Sequence, residues 1–269
     1  MSKKRVLYIT QEMSPYTTLT EISEMAHKIA PYSYNKGYEV RVLMPKFGTI
    51  NERRHRLHEV VRLSGMNIIV DDDDYPLIIK VASLPGSRMQ VYFLDNEEFF
   101  KRKLLFNDEK DKPLEDNEDR MVFFCKGVME TVKKFGWPPD IIHCHGWMTS
   151  LVPLYFEKIY RDSPIFEKSK MIFSVYDHTY EDSFSKDFIT KACINDLEEK
   201  DLKNYKAGAK IKLNEGAIAH ADGIICGSES FNASIKKTIA GANVPVQDHT
   251  EGDDYLTSTL DFYSSFTEE

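Results

Sequence analysis

Apolar and polar positions along this chain fall into blocks of changing period, and the changes mark its elements. Residues 5–10 hold a short apolar run of strand length. From Thr18 to Lys36 the apolar positions Ile22, Met25, Ala26 and Ile29 take helical spacing until Gly37 ends it. Residues 39–44 are strand-like again, and strand, helix, strand opens a right-handed parallel crossover. Hairpin-like segments follow at 59–63, 67–70, 77–82 and 90–94. The run Asp71, Asp72, Asp73, Asp74 interrupts them and reads as a solvated hairpin tip, because a calcium loop needs glycine and glutamate spacings absent here. Residues 117–135 form a long helix with Met121, Phe124, Cys125, Val128 and Val132 on one face. A second helix is expected at 148–160, a strand at 171–175, a helix at about 206–220 and a strand at 223–226, after which Ser228 is a natural cap for one more helix. Residues 242–252 read as mobile, whereas Leu256, Leu260 and Tyr263 at i, i+4 and i+7 predict a docking helix within 255–266. The pattern predicts an α/β fold: a Rossmann-like parallel sheet with flanking helices and a β-hairpin insertion. The expected division is a domain at 1–239 and an acidic tail at 240–269.

Composition narrows the possibilities. A chain of 269 residues has room for one large α/β domain but not two. With 43 acidic and 35 basic side chains the formal net charge is -8, which repels phosphate backbones and anionic lipid heads. Neither nucleic acid nor a membrane is therefore expected as a partner. Cys125, Cys144, Cys193 and Cys226 form no CxxC pair and read as reduced thiols; with no apolar run of signal-peptide or membrane-spanning length, a cytoplasmic protein is expected.

The most informative stretch is Pro139-Asp140-Ile141-Ile142-His143-Cys144-His145-Gly146-Trp147-Met148-Thr149-Ser150, followed by Leu151-Val152-Pro153. It reads as a central strand whose carboxyl end delivers His145 to a crevice, where open α/β sheets bind ligands. His143 and His145 share a strand face, so a metal held with Asp177 or His178 is one reading; hydrogen-bonded core histidines are the other, favoured by the lack of a third ligand at fixed local spacing. Cys144 points to the opposite side and reads as core.

These words resemble the glycogen and starch synthases, family five of the glycosyltransferases, whose text here is close to PDIVHCHDWHTALVP. Gly146 stands for the family's aspartate and Met148 for its last histidine. Thr10-Gln11-Glu12-Met13-Ser14-Pro15 resembles its S-x-E-x-x-P, and Val40 to Gly48 its second strand and loop. Glu115 to Arg120 with Phe123 and Phe124 resembles its D-N-x-x-R-F-x-F. Ser174-Val175-Tyr176-Asp177 stands at T-x-H-N, with Tyr176 for the histidine, and Ala221 to Ser228 follows A-D-x-x-x-x-V-S; Glu215 replaces the lysine of K-A-G. The resemblance covers roughly residues 4–237 and implies the N-terminal half of a two-domain B-type glycosyltransferase. In that family the acceptor glucan lies mostly on the first domain and the ADP-glucose nucleotide mostly on the second. Glucose moves to a glucan 4-hydroxyl with retention of configuration and without a metal, in the service of glycogen biosynthesis. The tail is compared, by analogy, with the family's returning carboxyl-terminal helix.

The family's K-x-G-G-L word falls on Thr18, Leu19, Thr20, Glu21 and Ile22, so its lysine and both glycines are gone. Glycines let backbone approach a pyrophosphate, and the lysine and helix amides supply positive potential for it. Thr18-x-x-Glu21 spells a capping box instead, with the helix amides occupied and a carboxylate where the phosphate belongs. At roughly 4 Å and an effective dielectric near 20, two such charges repel by about 4 kcal/mol. The alternative is that Thr18 and Glu21 are ordinary helix-start residues and any phosphate binds elsewhere, although no GxGxxG or GxxxxGK[ST] word occurs.

By resemblance, His145 is the catalytic candidate, a polar group steadying charge on the sugar rather than a nucleophile. Glu12, Thr18, Thr20, Glu21, Trp147, Tyr176, Asp177 and Ser228 are the substrate-binding candidates, with Trp147 either a sugar-stacking platform or a packed aromatic under a loop. No metal and no cofactor are expected; the expected partners are an α-glucan, ADP-glucose and a second polypeptide supplying the nucleotide domain. Two functions follow: a glucosyltransferase, weak or inactive alone, or a non-catalytic glucan-binding or regulatory relative.

Overall fold

The computed structural model describes residues 3–177, 180, 184–185 and 187–267. The opening crossover is β1 (Arg5–Thr10), α1 (Glu21–Asn35) and β2 (Glu39–Pro45). Helix α2 (Glu52–His55) and β3 (His58–Glu59) lead into the hairpin of β4 (Met66–Val70) and β5 (Asp73–Ser83), and β6 (Gln90–Asp95) returns to the sheet before α3 (Glu97–Phe100) and α4 (Asn117–Phe135). Next come β7 (Ile141–His145), α5 (Leu151–Tyr155), β8 (Lys170–Val175), α6 (Phe188–Ala192), the hairpin β9 (Lys206–Ala207) with β10 (Lys210–Ile211), and α7 (Leu213–Ile218). The chain closes with β11 (Gly223–Cys226), α8 (Ala233–Ala240), β12 (Val246–Gln247) and α9 (Gly252–Thr267).

The main sheet runs β12-β11-β8-β7-β1-β2-β6-β5-β3, with β4 paired to β5. From β12 to β6 every pairing is parallel; β5 and β3 continue antiparallel. The α/β class expected from the pattern therefore holds. The parallel strands are near-continuous apolar runs because helices cover both faces. Chain order reverses between β1 and β7, so the residues after these two strands face each other across a switch-point crevice. Register pairs Tyr8 with His143 and Thr10 with His145, and His145 with Ser174, which places all of them on one sheet face. Residues Ile142 and Cys144 face the other way, into the apolar core, as expected.

Several elements differ from the sequence reading. Residues 90–94 belong to the parallel sheet rather than to the insertion, and strand structure near 59–63 stops at Glu59, where a turn closes on the Val60 carbonyl. The helix expected at 206–220 is a hairpin followed by α7 alone, because Gly208 at φ +64 takes the turn of β9 and β10. The helix at 148–160 begins as a 3-10 turn at Trp147–Thr149 and widens to a π-helix at Phe156–Tyr160. Asn232, not Ser228, caps α8, its side chain accepting from the Ile235 amide at 3.0 Å. Within the segment expected to be mobile, Val246 and Gln247 form an edge strand on β11. Asp71 and Asp72 lie between β4 and β5, at the hairpin tip.

Candidate functional site

His145 ends β7 fully buried, its Nδ1 2.9 Å from the Tyr176 hydroxyl at the end of β8. Burial pushes its pKa down to about 3, so the ring is neutral, and its Nε2 has no hydrogen-bond partner among the described residues. His143, whose ring centroid is 3.9 Å from that of His145, spends both nitrogens on protein: Nδ1 on Tyr263 (2.6 Å) and Nε2 on Ser174 (2.7 Å). Burial, and then the neighbouring His145 ring, which disfavours a second proton beside it, hold it well below the ordinary histidine range. This is the hydrogen-bonded core pair of the second sequence reading. Among the described residues no three His, Cys, Asp or Glu side chains converge as a metal set, and His178 lies outside those residues.

At the first helix the structure corrects the capping box. The cap of α1 is Thr20, with extended backbone and a side chain accepting from the Ile22 amide at 3.2 Å; Thr18 is solvent-exposed and makes no cap. The carboxylate that takes the helix-start donors is the buried Glu12. It accepts from the amides of Leu19 (2.6 Å) and Thr20 (2.9 Å) and from the Thr20 hydroxyl (2.7 Å). A glutamate belongs to the resembling S-x-E-x-x-P word as well; the departures from the resembling text at this helix start are Thr18, Thr20 and Glu21. Glu21 is the exposed first residue of α1. Burial, ahead of Tyr255 and lastly of the Glu21 charge, raises the Tyr176 phenol well above its usual range.

The crevice at the switch point is a cavity of about 690 Å³. It brings together Thr20, Trp147 and Asp177 among the expected residues, with Gln11, Leu19, Thr49, Lys103, Leu104, Leu105, Phe106, Asn107, Asp111 and Tyr180. Trp147 is nearly buried: Tyr180 stacks on it at 4.8 Å with 8° between planes, and Phe106 meets it edge-on at 4.8 Å. It therefore packs under the loop in addition to lining the wall. The wall at 103–107 is pinned by Asn117 Nδ2 and the Tyr180 hydroxyl on the Phe106 carbonyl (2.8 and 2.7 Å) and by Arg120 on the Leu105 carbonyl (2.5 Å). Residues 103–111 were missed from sequence because an irregular loop has no period; the fixing residues Asn117 and Arg120 were the only signal.

Gly146 explains one departure from the family text. Its φ of 87° and ψ of 160° lie in a region only glycine occupies easily, and a Cβ there would sit 2.4 Å from Gln11 Oε1. Gln11 is buried in that space and accepts from the Met148 amide at 3.2 Å. Tyr176 likewise fills the room above Gly227, where a Cβ would meet its ring at 2.5 Å. Ser228 accepts from the Asp177 amide at 3.1 Å but lines a separate cavity of about 870 Å³ beyond β11 and β12. Glu215 is bound by Ser234 at 2.6 Å and paired with Lys212 at 3.7 Å, away from the crevice lining.

The profile of the family described as the starch synthase catalytic domain matches residues 5–244. The glycogen synthase of Chlorobium limicola is 35% identical over 219 residues, which is 81% of this chain and 44% of that protein. That of Chlorobium luteolum is 40% identical over 173 residues, 64% of this chain and 35% of its own length. The chain thus spans less than half of these relatives. Among solved structures, the catalytic domain of starch synthase IV from Arabidopsis thaliana, bound to ADP and acarbose, superposes with a TM-score of 0.73 at 20% identity, covering 98% of this chain and 50% of that one. At that identity the likeness is one of fold. Among the described residues no helix is long and apolar enough to cross a membrane.

Proposed function

Because this chain belongs to the starch synthase catalytic domain family, we propose that it is the acceptor-side half of a glycogen or starch synthase-like glucosyltransferase, binding an α-glucan in the switch-point crevice. Transfer of glucose from ADP-glucose then requires a nucleotide-binding unit in addition to the catalytic-type unit, residues 1–239. The observation that carries the reading is the crevice itself. It opens at the carboxyl ends of β1 and β7 and mixes apolar walls (Leu19, Leu104, Leu105, Phe106, Trp147) with Asp177, Asn107 and Thr20, which suits the alternating CH and hydroxyl faces of a sugar. His145, expected from sequence to reach the crevice, is fully buried and not among the lining residues, so in this reading it acts from behind the wall as a neutral, fixed dipole held by Tyr176. Glu12 keeps the start of α1 rigid while Thr20, Asp177 and Trp147 bound the acceptor. The cytoplasm is the proposed setting, supported by four unpaired thiols and by the bacterial glycogen synthases to which the chain is similar.

A second reading, a glucan-binding relative without activity of its own, is favoured by one feature. Where the resembling family has a lysine, Thr18 brings no charge, and Glu21 adds a carboxylate at the same helix start. A thermal-shift titration tests the donor and acceptor sites one at a time. An intact donor site saturated with ADP-glucose at a hundredfold excess over its dissociation constant stabilises by about 2.7 kcal/mol. Both readings expect a shift with maltoheptaose and little with ADP-glucose from the chain alone; glucose incorporation into glycogen after a nucleotide-binding unit is added is expected of the glucosyltransferase half and not of the glucan-binding relative. Incorporation of labelled glucose into glycogen by the purified chain would overturn the need for a second unit, and the absence of any shift with maltoheptaose would sink the glucan site.

A further inference from the structure

Most polar side chains that line the crevice are half-buried or exposed. Among the lining side chains that carry a nitrogen or an oxygen, only Gln11 and Trp147 are more than nine-tenths buried. Neither has spent all its donors. The Trp147 indole N–H and one of the two hydrogens on Gln11 Nε2 meet no acceptor among the described residues. A nearly buried donor without an acceptor is unfavourable and uncommon, and the space that both residues border is the crevice.

The Gln11 amide fits its surroundings in one orientation. Its Oε1 accepts from the Met148 amide at 3.2 Å, and its Nε2 donates to Glu12 Oε1 at 3.3 Å. Turned over, the carbonyl would face a carboxylate and the NH2 group would face a backbone N–H. Glu12 is in turn held by the Leu19 and Thr20 amides on Oε2 and by the Thr20 hydroxyl on Oε1, and the Gln11 backbone N–H reaches the His145 carbonyl at 3.4 Å. The side chain is therefore fixed before any ligand arrives, in the room that Gly146 leaves by having no Cβ. A primary amide carries two hydrogens and Glu12 takes one, so the unsatisfied group that Gln11 presents is a donor. The resembling family text has an aspartate at 146, which when ionised only accepts. In this chain the polarity at that point of the crevice is reversed.

We propose that Gln11 is a specificity-determining residue of the crevice: its unspent Nε2 hydrogen is donated to a hydroxyl oxygen of the bound glucan, with the Trp147 indole N–H as a second donor from the same lining. The carboxylates of Asp111 and Asp177, also in that lining, supply acceptors for the hydrogens that the sugar hydroxyls carry. Because the amide is already held at both ends, little freedom is lost when the sugar arrives. Sequence words hide this residue, since Thr10-Gln11-Glu12-Met13-Ser14-Pro15 draws the eye to Glu12, and the burial of Gln11 beside Gly146 is a long-range fact. The sugar as ligand rests on the proposed function; the donor at Gln11 does not.

The test is a maltoheptaose titration of the full 15N-labelled chain, followed by proton–nitrogen correlation NMR and by calorimetry. The chain has two tryptophans, and Trp137 spends its indole N–H on Glu39 at 2.6 Å, so its signal is an internal control. Trp147→Phe assigns the indole signals, and Gln11→Met, which keeps the length of the side chain and removes the amide, assigns the Nε2 pair. The Gln11 Nε2 and Trp147 indole signals should move together with one dissociation constant while that of Trp137 stays. Affinity should fall about threefold to tenfold in Gln11→Met and in Trp147→Phe, the range of one neutral hydrogen bond. Should Gln11→Met fail to fold, through-bond correlation to Cγ assigns the Nε2 pair in the unsubstituted chain, and its shift decides. A Gln11 Nε2 pair that stays in place in the saturated complex would overturn the role of Gln11, as would a Gln11→Met chain that binds as tightly as the unsubstituted one; either leaves the glucan reading standing. An unsubstituted chain that does not bind maltoheptaose would sink the glucan reading and this role with it.

Discussion

Gly146 and Gln11 have replaced, between them, one side chain of the family text, and the exchange makes a prediction about reversal. The Gly146 backbone lies in a glycine-only region and its missing Cβ faces Gln11 at 2.4 Å. Gly146→Asp should therefore destabilise by about 2–4 kcal/mol, strain plus overpacking. Pairing it with Gln11→Ala should recover at least 1 kcal/mol or so of that, since neighbours in contact are not additive. A urea-melt double-mutant cycle reads the coupling, and strict additivity would show that Gln11 is not the obstacle. The buried histidines make a second prediction. Both have lowered folded-state pKa values, that of His145 about 3, against about 6.5 unfolded. Between these limits the unfolded chain binds more protons, so stability is lost as pH falls below about 6.5, at up to about 1.4 kcal/mol per pH unit for each ring. His145→Gln should flatten the decline of unfolding free energy between pH 6 and 4 by about that slope; a profile parallel to that of the unsubstituted chain would contradict the buried neutral ring.

At the scale of elements, the start of α1 tests how far a helix signal can be trusted to a single residue. Thr20 both caps the helix and bonds Glu12, whereas Thr18 does neither. Thr20→Ala should cost about 1–2 kcal/mol in chemical denaturation and Thr18→Ala less than about 0.5 kcal/mol. Equal costs would return the cap to Thr18. The misreading has a physical source: Thr18 and Thr20 offer the same hydroxyl two positions apart, and what selects Thr20 is the carboxylate of Glu12, which arrives from the end of β1. Local spacing is blind to such a partner. The same reason separates the legible elements from the others. β1, β2, β7, β8 and β11 were readable because burial on both faces leaves mostly apolar runs, and α4 because nineteen residues keep one period across Gly127. The false helix at 206–220 had plausible composition, but Gly208 and the pairing of Lys206–Ala207 with Lys210–Ile211 outweighed it. His145 was found because it ends a strand; the cavity wall at 103–107 was not, since only long-range bonds from Asn117, Arg120 and Tyr180 give it shape.

For the molecule as a whole, the open question is whether the family-matched residues make a stable body. They end at 244, and α9 lies past them, yet the sheet face bearing Tyr8, His143 and Ser174 is closed by Tyr255, Leu256, Thr259, Leu260 and Tyr263. At about 1.5–3 kcal/mol for each large side chain, burying the four bulky ones contributes roughly 6–12 kcal/mol as an upper estimate. Total stabilities are about 5–15 kcal/mol, so α9 is of the order of the whole margin. Its loss would also strip the His143 Nδ1 and Tyr8 hydroxyl of the partner that Tyr263 provides. Phe262 and Phe266 press on Gly223 at the start of β11, where a Cβ would come within 3.1 and 2.6 Å of them, so the helix also holds the far side of the sheet. A chain ending at residue 250 should therefore lose its cooperative thermal transition. A synthetic peptide of residues 252–267, added in excess, should restore it, because docking the peptide returns the burial that tips the strands into their folded pairing. If the shortened chain melts cooperatively within a few degrees of the full one, the sheet face tolerates water and the fold does not depend on α9.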